Sequence, residues 1–284
     1  MRKIGGIRAN FGFLVAGTPL FLFLLVIIFL IIYLCQNGIR VISWEFLTSF
    51  PKKGMTEGGI LPAAVGTIYV TFVALLFAVP IGIGSGIYLS EYAPNNILVK
   101  VIRSSVRSLA GIPSIVYGLF GVAFFVRVLG FGMSILASGL TLSLLVLPVI
   151  ITTTEEALKA IPLSFREGSL ALGATKWETI RFQVLPYAFP GILTGVLLSF
   201  ARACGETAPI LFTGVTFYLR HLPKTPLNKF MALPYHLYIL STQHENILKV
   251  RPIAFGTAIV LLTLVLFFSG IALYFRMKFA KRQW

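Results

Sequence analysis

Long apolar stretches, almost free of charge, recur along nearly the whole chain. Each is close to or above the ~20 residues that a helix needs to cross a hydrocarbon core. Because lipid offers no hydrogen-bond partner to a backbone amide, stretches of this length are helical. The pattern predicts six membrane-spanning helices and an all-α integral membrane protein. The stretches cover 13–35, 62–90, 108–126, 128–154, about 188–213 and 252–275.

The composition supports this prediction, because 57% of the residues are hydrophobic and only 12% are charged. The apolar stretches leave no polar block large enough for a second, soluble domain. The formal net charge of +15 comes from basic residues in short segments between the stretches, not along one periodic face. This placement indicates membrane topology and argues against a nucleic-acid partner.

The distribution of Lys and Arg predicts the orientation in the membrane. Six crossings put both termini on one side, and that side carries a modest excess of basic residues. By the positive-inside rule, both termini face the cytoplasm. The first stretch follows Arg2, Lys3 and Arg8, but it is too long for a signal peptide and lacks a small-residue cleavage site. It is therefore predicted to remain as an anchor.

Candidate catalytic and metal-binding groups are few. The chain has no Asp, and Cys35 and Cys204 each lie in an apolar stretch. No predicted membrane helix combines a nucleophile with a base, so we expect neither an enzyme nor a cofactor in this chain. His221, His236 and His244 fall between the fifth and sixth stretches, where a solvated surface is favoured over metal binding.

The segment between the fourth and fifth stretches contains two capping boxes. Ser164 is followed three residues later by Glu167, and Thr175 is followed three residues later by Glu178. In a capping box the hydroxyl and the carboxylate satisfy free amides at the start of a helix. Gly173 supplies a left-handed stop between the two predicted helices.

The first of these short helices is predicted at about 165–172 and the second at about 176–184, ending before Pro186. Helices this short are marginal alone, so their apolar side chains need a surface to pack against. Two interpretations fit the pattern equally well. In one, a cytoplasmic partner protein provides this surface; in the other, the helices pack on the bilayer surface or against the chain's own bundle.

Arg202 and Glu206 interrupt the fifth stretch and are predicted to lie on one face of its helix, with Ser199 and Thr213 on the same stripe. A charged residue at this depth costs about 2.5 to 3.5 kcal/mol on insertion scales, so it has a partner or a function. One interpretation is a salt bridge that only fixes helix rotation. The other is that Arg202 binds a tetrahedral oxyanion, while Glu206 neutralises it in the empty path.

The sequence from Arg166 to Ala174, with the Leu-Pro pair that follows, resembles the EAA loop of importer-type ABC permeases. In that family the loop is a coupling helix that docks on the nucleotide-binding subunit. This chain keeps the glutamate, the glycine and the Leu-Pro pair, but has Gly168 and Ser169 where two alanines are usual. The resemblance assigns the coupling role to Glu167, Gly168, Ser169, Gly173, Ala174, Leu185 and Pro186.

The string ARACGETAP at 201–209 resembles a segment of the two permease subunits of the phosphate-specific transporter. GGILPA at 58–63, and GIPSIVYGLFG at 111–121, resemble the same family. The short N-terminus and MTEGG at 55–59 are closer to its PstA type than to its PstC type. The candidate substrate-path residues are Arg202, Glu206, Ser199 and Thr207.

The resemblance implies a six-helix bundle of the type I ABC importer permease kind, in a prokaryotic inner membrane, that forms half of a path for phosphate. It also implies a PstC-type permease, two PstB-type subunits that hold ATP and magnesium, an extracytoplasmic PstS-type phosphate-binding protein, and surrounding membrane lipid. Two alternatives stay open: a permease for another oxyanion such as sulfate, molybdate or phosphonate, and a membrane scaffold without transport.

Three parts of the chain are expected on this basis. Residues 1–60 form the anchor helix and the first external loop. Residues 61–275 form the importer-type transmembrane domain, with the coupling loop at about 155–186. Residues 276–284 form a cytoplasmic basic tail.

Overall fold

The computed structural model describes residues 6–280, which are mostly helical. Strands β1 (Pro51–Lys52) and β2 (Glu57–Gly58) pair antiparallel in a small hairpin. Short 3-10 or π-helical turns lie at Ile39–Val41, Lys53–Met55, Tyr88–Tyr92, Val122–Val128 and Ile180–Val184. The helices are α1 (Gly6–Gly38), α2 (Trp44–Thr48), α3 (Leu61–Ile87), α4 (Ile97–Leu109), α5 (Ser114–Gly121), α6 (Ile135–Lys159), α7 (Leu163–Ala171), α8 (Lys176–Thr179), α9 (Leu185–Gly205), α10 (Ala208–Thr213), α11 (Leu233–Thr242) and α12 (Ile247–Ala280).

Five helical segments within the described part of the chain are long and apolar enough to cross a membrane. A sixth crossing results if the pair α4 and α5 counts as one span, although the two helices are bent by 100° relative to each other. The predicted all-α membrane architecture is confirmed. The five segments are Gly17–Val41, Leu61–Tyr92, Ile135–Lys159, Lys176–Gly205 and Ile247–Lys278.

The apolar helix within the predicted stretch 108–126 begins only at Ser114, the first residue of α5. A separate amphipathic helix, α4, precedes it and carries Lys100, Arg103 and Arg107. Pro113 lies directly before α5. It separates α4 from α5, because proline has no backbone N–H to donate and disfavours helix in the residue before it. The apolar helix therefore runs over α5 and its π-helical continuation.

The fourth span also begins later than predicted, at Ile135. Gly130 and Gly132 have φ of 69° and 64°, a left-handed region that glycine enters without strain. These two residues form a loop between the third and fourth spans. Ser134 then caps α6, since its hydroxyl accepts a hydrogen bond from the amide of Ala137 at 3.1 Å.

Helix α6 lies at the centre of the bundle, and most of its apolar span is buried within the chain. Glycines let α3 approach it closely. A Cβ added to Gly82 would lie 2.6 Å from the Ile150 side chain, and one added to Gly86 would lie 2.6 Å from Thr154. These two glycines therefore serve helix packing, whereas Gly84 faces open space.

Helices α1 and α12 lie at the periphery, and the most apolar part of each is not buried within the chain. They cross closely at Gly38, where an added Cβ would lie 2.8 Å from the backbone of Phe255. Their outward surfaces are therefore available to lipid or to protein neighbours. Helix α12 continues to Ala280, so it includes the first residues of the predicted tail, and residues 281–284 lie outside the described part.

A compact layer covers the bundle on the side where α1 ends and α12 begins. Phe46, Met55 and Met231 share one hydrophobic cluster there with residues of α11 and α12. The Tyr218 hydroxyl donates to the Pro51 carbonyl at 2.8 Å. The predicted N-terminal part therefore packs against the rest of the chain through this layer.

His236 is buried, which corrects the prediction of a solvated surface for all three histidines. It is 3% exposed on α11, and its Nδ1 lies 3.3 Å from the hydroxyl of Thr257 on α12. Burial lowers the pKa of His236 to about 4, because the charged ring would lose its hydration. His236 is thus a neutral core residue, while His221 and His244 are not buried.

Candidate transport site and coupling segment

The fifth span ends at Gly205, inside the string that carries the charge pair. Glu206 is extended, with φ −73° and ψ 133°, and the short helix α10 follows. Pro209 explains the break, because in a continuous helix its ring would clash with the carbonyl four residues earlier, that of Gly205. The prediction of one helix over 188–213 is wrong, and Glu206 does not share a helix face with Arg202.

Arg202 and Glu206 still contact each other across the end of α9. The Nε of Arg202 donates to Oε1 of Glu206 at 3.4 Å, a long hydrogen bond. A guanidinium has five N–H donors, and this is its only hydrogen bond to the described residues. The two side chains are 33% and 18% exposed, and the neighbouring Gly205 faces open space. Most donors of Arg202 are therefore free.

The other predicted path residues lie in different environments. Ser199 is fully buried, and its hydroxyl has no hydrogen-bond partner among residues 6–280. Thr213 lies on α10, not on the stripe predicted for it, and its hydroxyl contacts that of Ser138 at 2.9 Å. Thr207 is half-buried immediately before α10. Of these three, only Thr207 shares the half-exposed environment of the charge pair.

Two of the motif strings pack against each other beside this site. Helix α5 carries the glycine-rich string, and a Cβ added to Gly118 would lie 3.0 Å from the carbonyl oxygen of Ala208. A Cβ on Gly121 would collide with the Thr141 hydroxyl at 2.1 Å. The small residues therefore let α5 support the segment that follows the charge pair.

The coupling segment forms two helices that meet at Gly173, whose φ of 84° confirms the predicted left-handed stop. The capping box of Thr175 and Glu178 is present, with amide-to-side-chain distances of 2.8 and 3.3 Å. The box predicted at Ser164 is absent. Helix α7 begins directly after Pro162, so Ser164 already lies inside the helix and caps nothing.

The second coupling helix does not end before Pro186, contrary to the prediction. Helix α8, its π-helical turn and α9 form one helical segment of 30 residues, Lys176–Gly205. Pro186 is accommodated next to the π-helical turn, where the regular pattern of backbone hydrogen bonds is already interrupted. At ~1.5 Å per residue the segment is about 45 Å long. It connects the coupling segment directly to Arg202 in its last turn.

The residues assigned to coupling lie mainly on an accessible surface, and α7 buries none of its residues. The hydroxyl of Thr179 donates to that of Ser169 at 2.9 Å, which joins the two coupling helices. Glu167, Gly168, Gly173 and Pro186 are exposed, while Ser169, Ala174 and Leu185 are half-buried.

An ion pair that was not predicted lies behind α7. Arg166 contacts Glu91, in the turn that follows α3, with Nη2 2.7 Å from Oε1 and Nε 3.2 Å from Oε2. The sequence contained one indication of this pair, the position of Glu91 directly after the long apolar stretch 62–90. Its partner could not be predicted, because the two residues are 75 positions apart. The described residues contain no cluster of three or more metal-ligating side chains.

Comparison with known families identifies this architecture. A family model described as "Binding-protein-dependent transport system inner membrane component" matches residues 78–281. The chain belongs to this family. It is therefore a multi-pass membrane permease and a transport subunit, of the kind that works with a substrate-binding protein and an ATPase.

Several curated permeases are similar over most of their length. The "Phosphate transport system permease protein PstA" of Mycobacterium leprae is 37% identical over 269 residues, 93% of this chain and 83% of that protein. The "Probable phosphate transport system permease protein PstA" of Methanocaldococcus jannaschii is 34% identical over 93% of this chain and 92% of that protein. The "Probable ABC transporter permease protein YqgI" of Bacillus subtilis is 35% identical over 84% of each chain.

Solved structures share the fold of this permease. A chain of a bacterial alginate ABC transporter matches with a TM-score of 0.72, covering 97% of each chain at 15% identity. A chain of the MetNI methionine ABC transporter, in an inward-facing conformation, matches with a TM-score of 0.60 at 20% identity, covering 78% of this chain and 95% of that chain. The type I importer permease fold is therefore established.

Proposed function

We propose that this permease is a subunit of an ATP-driven phosphate importer and forms half of the path for inorganic phosphate. The observation that carries the proposal is the state of Arg202, a guanidinium with a single long hydrogen bond at the half-exposed end of α9. Two relatives that are named phosphate transport permeases, one bacterial and one archaeal, support the choice of phosphate.

The chemistry of Arg202 suits an oxyanion. A guanidinium is permanently charged and presents parallel N–H donors that match two oxygens of a phosphate. A salt bridge whose only role is to fix a helix would be expected to use more of these donors than one. Glu206, 3.4 Å away, neutralises the cation when no anion is bound. Thr207, beside the pair, offers a further hydroxyl to the path.

Glu206 also provides a basis for selectivity. Phosphate at neutral pH retains a hydroxyl that can donate a hydrogen bond to a carboxylate, whereas sulfate has none and is repelled. A hydrogen bond to a charged group contributes about 1.5 to 3 kcal/mol. This difference corresponds to roughly tenfold to a hundredfold in affinity.

Ser199 belongs to the path only if the helices around it move apart during transport. Its hydroxyl is buried without a partner among the described residues, an arrangement that costs free energy. Water or phosphate that enters beside α9 would form a hydrogen bond with this hydroxyl and remove the cost. Ser199 is therefore proposed as a residue that phosphate or water contacts in another state of the cycle.

The coupling segment supplies the motion. One of the two PstB-type ATPase subunits, which hold ATP and magnesium, docks on α7 and α8 from the cytoplasmic side, where both termini also lie. Because α8 and α9 form one helical segment, a displacement of the docking end reaches Arg202 through about 45 Å of helix. A PstC-type permease contributes the other half of the path, and a PstS-type protein delivers phosphate from outside.

Reconstitution in vesicles tests this function. Labelled phosphate uptake should require ATP and all the partner chains, and it should stop when any one of them is omitted. Excess sulfate, molybdate or phosphonate should compete poorly. Preferred uptake of one of these anions would identify a permease for another oxyanion. ATP hydrolysis without uptake of any of them would support a scaffold and overturn the proposal.

A further inference from the structure

The guanidinium of Arg166 on α7 is almost completely used by the chain itself. Besides its two contacts with Glu91, Nη1 donates to the carbonyl of Ile161 at 2.8 Å and Nη2 to that of Leu158 at 2.9 Å. The side chains of Arg166 and Glu91 are only 16% and 7% exposed. Arg166 therefore has little left to offer an external ligand.

The two carbonyls lie at the end of α6, which finishes at Lys159. The last carbonyls of a helix have no partner within the helix and carry its partial negative charge. Arg166 satisfies two of the carbonyls at and just beyond this end while it neutralises Glu91 at the end of α3. One side chain thus ties the coupling helix to two membrane helices.

A second set of ion pairs fixes the same end of the bundle. Arg103 on α4 donates to the carbonyl of Leu89, and its Nε lies 2.7 Å from Oε1 of Glu155 on α6. Lys159 contacts the same carboxylate oxygen. Glu155 is 7% exposed, so its charge is held inside the protein. The ends of α3, α4 and α6 are consequently joined to each other as well as to α7.

Helix α7 has few other attachments to the bundle. It buries no residue of its own, its main other contacts are with α8 and the π-helical turn after it, and Phe165 packs against Tyr187 of α9 with ring centroids 5.0 Å apart. Removing the Arg166 contacts would leave α7 joined to α6 by the short backbone link at 160–162 and in contact with α8 and α9, but without this ion pair to the end of α3. The contact set of Arg166 therefore adds a side-chain connection from α7 to the ends of α3 and α6.

We propose that Arg166 and Glu91 form a clamp that makes α7 move as one body with the cytoplasmic ends of α3 and α6. The clamp rests on the proposed function, in which an ATPase displaces α7. It makes Arg166 a positioning residue that does not contact the substrate. With the clamp intact, a displacement of the docking surface on α7 and α8 moves α9 through the continuous helix. The same displacement moves α3 and α6 through the contacts of Arg166.

A distance measurement tests the clamp without reference to the substrate. Spin labels are placed on α7 at Ser164→Cys and on α4 at Ser104→Cys, in a chain with Cys35→Ser and Cys204→Ser, within the complete complex. The distance between the labels should stay the same when ATP is added. In Arg166→Gln and in Glu91→Gln the same addition should shift or broaden it. A shift in the parent chain equal to that in the variants would overturn the clamp.

Transport measurements complete the test. In Arg166→Lys, which keeps the charge but loses the fork, the phosphate moved per ATP hydrolysed should fall about tenfold, while the ATPase still co-purifies. Glu156→Gln and Arg107→Gln, exposed on α6 and α4, should change neither value. An unchanged ratio in Arg166→Lys and Glu91→Gln would contradict the clamp. If the parent complex moves no phosphate, the proposed function fails, and the label distances still decide whether the clamp exists.

Discussion

Two arginine–glutamate pairs in this permease have opposite designs. Arg166 donates four hydrogen bonds to Glu91 and to two carbonyls, and both side chains are nearly buried. Arg202 donates one hydrogen bond of 3.4 Å to Glu206, and both side chains are partly exposed. The same two residue types thus form a saturated contact at one end of the bundle and an unsaturated contact at the end of α9.

The difference separates a structural ion pair from the proposed binding site. A buried pair is retained only when its geometry is good and the remaining donors are satisfied, because desolvation costs several kcal/mol per ion. Arg166 meets that condition. Arg202 is partly exposed, so its remaining N–H groups can donate to water or to the phosphate of the proposed path.

The largest expected effect concerns local stability. Arg166→Gln leaves Glu91 buried without its cation, a loss of about 3 to 5 kcal/mol for pairs of this kind. We expect hydrogen exchange in α7 to accelerate by roughly a hundredfold. Arg202→Gln, at a more exposed pair, should change exchange at the end of α9 by less than about fivefold.

Mass spectrometry of exchanged peptides measures both variants. Arg107→Gln, an exposed residue of α4, is the matched control and should leave both regions unchanged. Equal acceleration at the two pairs would remove the distinction between them.

The next effect concerns selectivity at the unsaturated pair. Glu206→Gln keeps the size of the side chain but removes the carboxylate that repels sulfate. The ratio of phosphate to sulfate uptake should fall by roughly tenfold to a hundredfold. Glu156→Gln, exposed on α6, serves as the control. A Glu206→Gln complex that discriminates as well as the parent would show that the carboxylate only neutralises Arg202.

The smallest expected effect lies in the turn between the coupling helices. Gly173→Ala places a side chain at φ 84°, which costs about 1 to 2 kcal/mol. The turn should loosen, and ATP hydrolysis should drive less uptake by a factor of about five. Gly84→Ala is the matched control, because this residue lies inside α3 with open space around it. Similar coupling in both variants would argue against a strict left-handed turn.

The spans were predictable because a segment in lipid must satisfy every backbone amide internally and is therefore helical. A long apolar stretch is thus enough to predict a membrane-spanning helix. Their ends were less predictable. Pro113, Gly130 and Pro209 interrupt apolar sequence without a change in hydropathy, and each moved a boundary. Ser164 failed as a cap because Pro162 starts α7 earlier, whereas Thr175 has Gly173 before it and caps as predicted.

The members of the candidate site are a prediction from the sequence, and the structure corrects the geometry expected for them. Charge inside an apolar stretch identified Arg202 and Glu206, yet their separation across a helix end depends on Pro209. Local pattern cannot detect a pair such as Arg166 and Glu91, whose residues are distant along the chain. His236 was mispredicted for the same reason, because its burial depends on packing between α11 and α12.

Phosphate uptake by Arg202 variants tests the central claim most directly. The complete complex is reconstituted in vesicles with the parent chain, Arg202→Gln, Arg202→Lys and the control Arg107→Gln, after equal assembly has been verified. We expect Arg202→Gln to lose at least about a hundredfold in uptake, Arg202→Lys to retain a small fraction, and Arg107→Gln to match the parent. Parent-like uptake by the assembled Arg202→Gln complex would contradict the account.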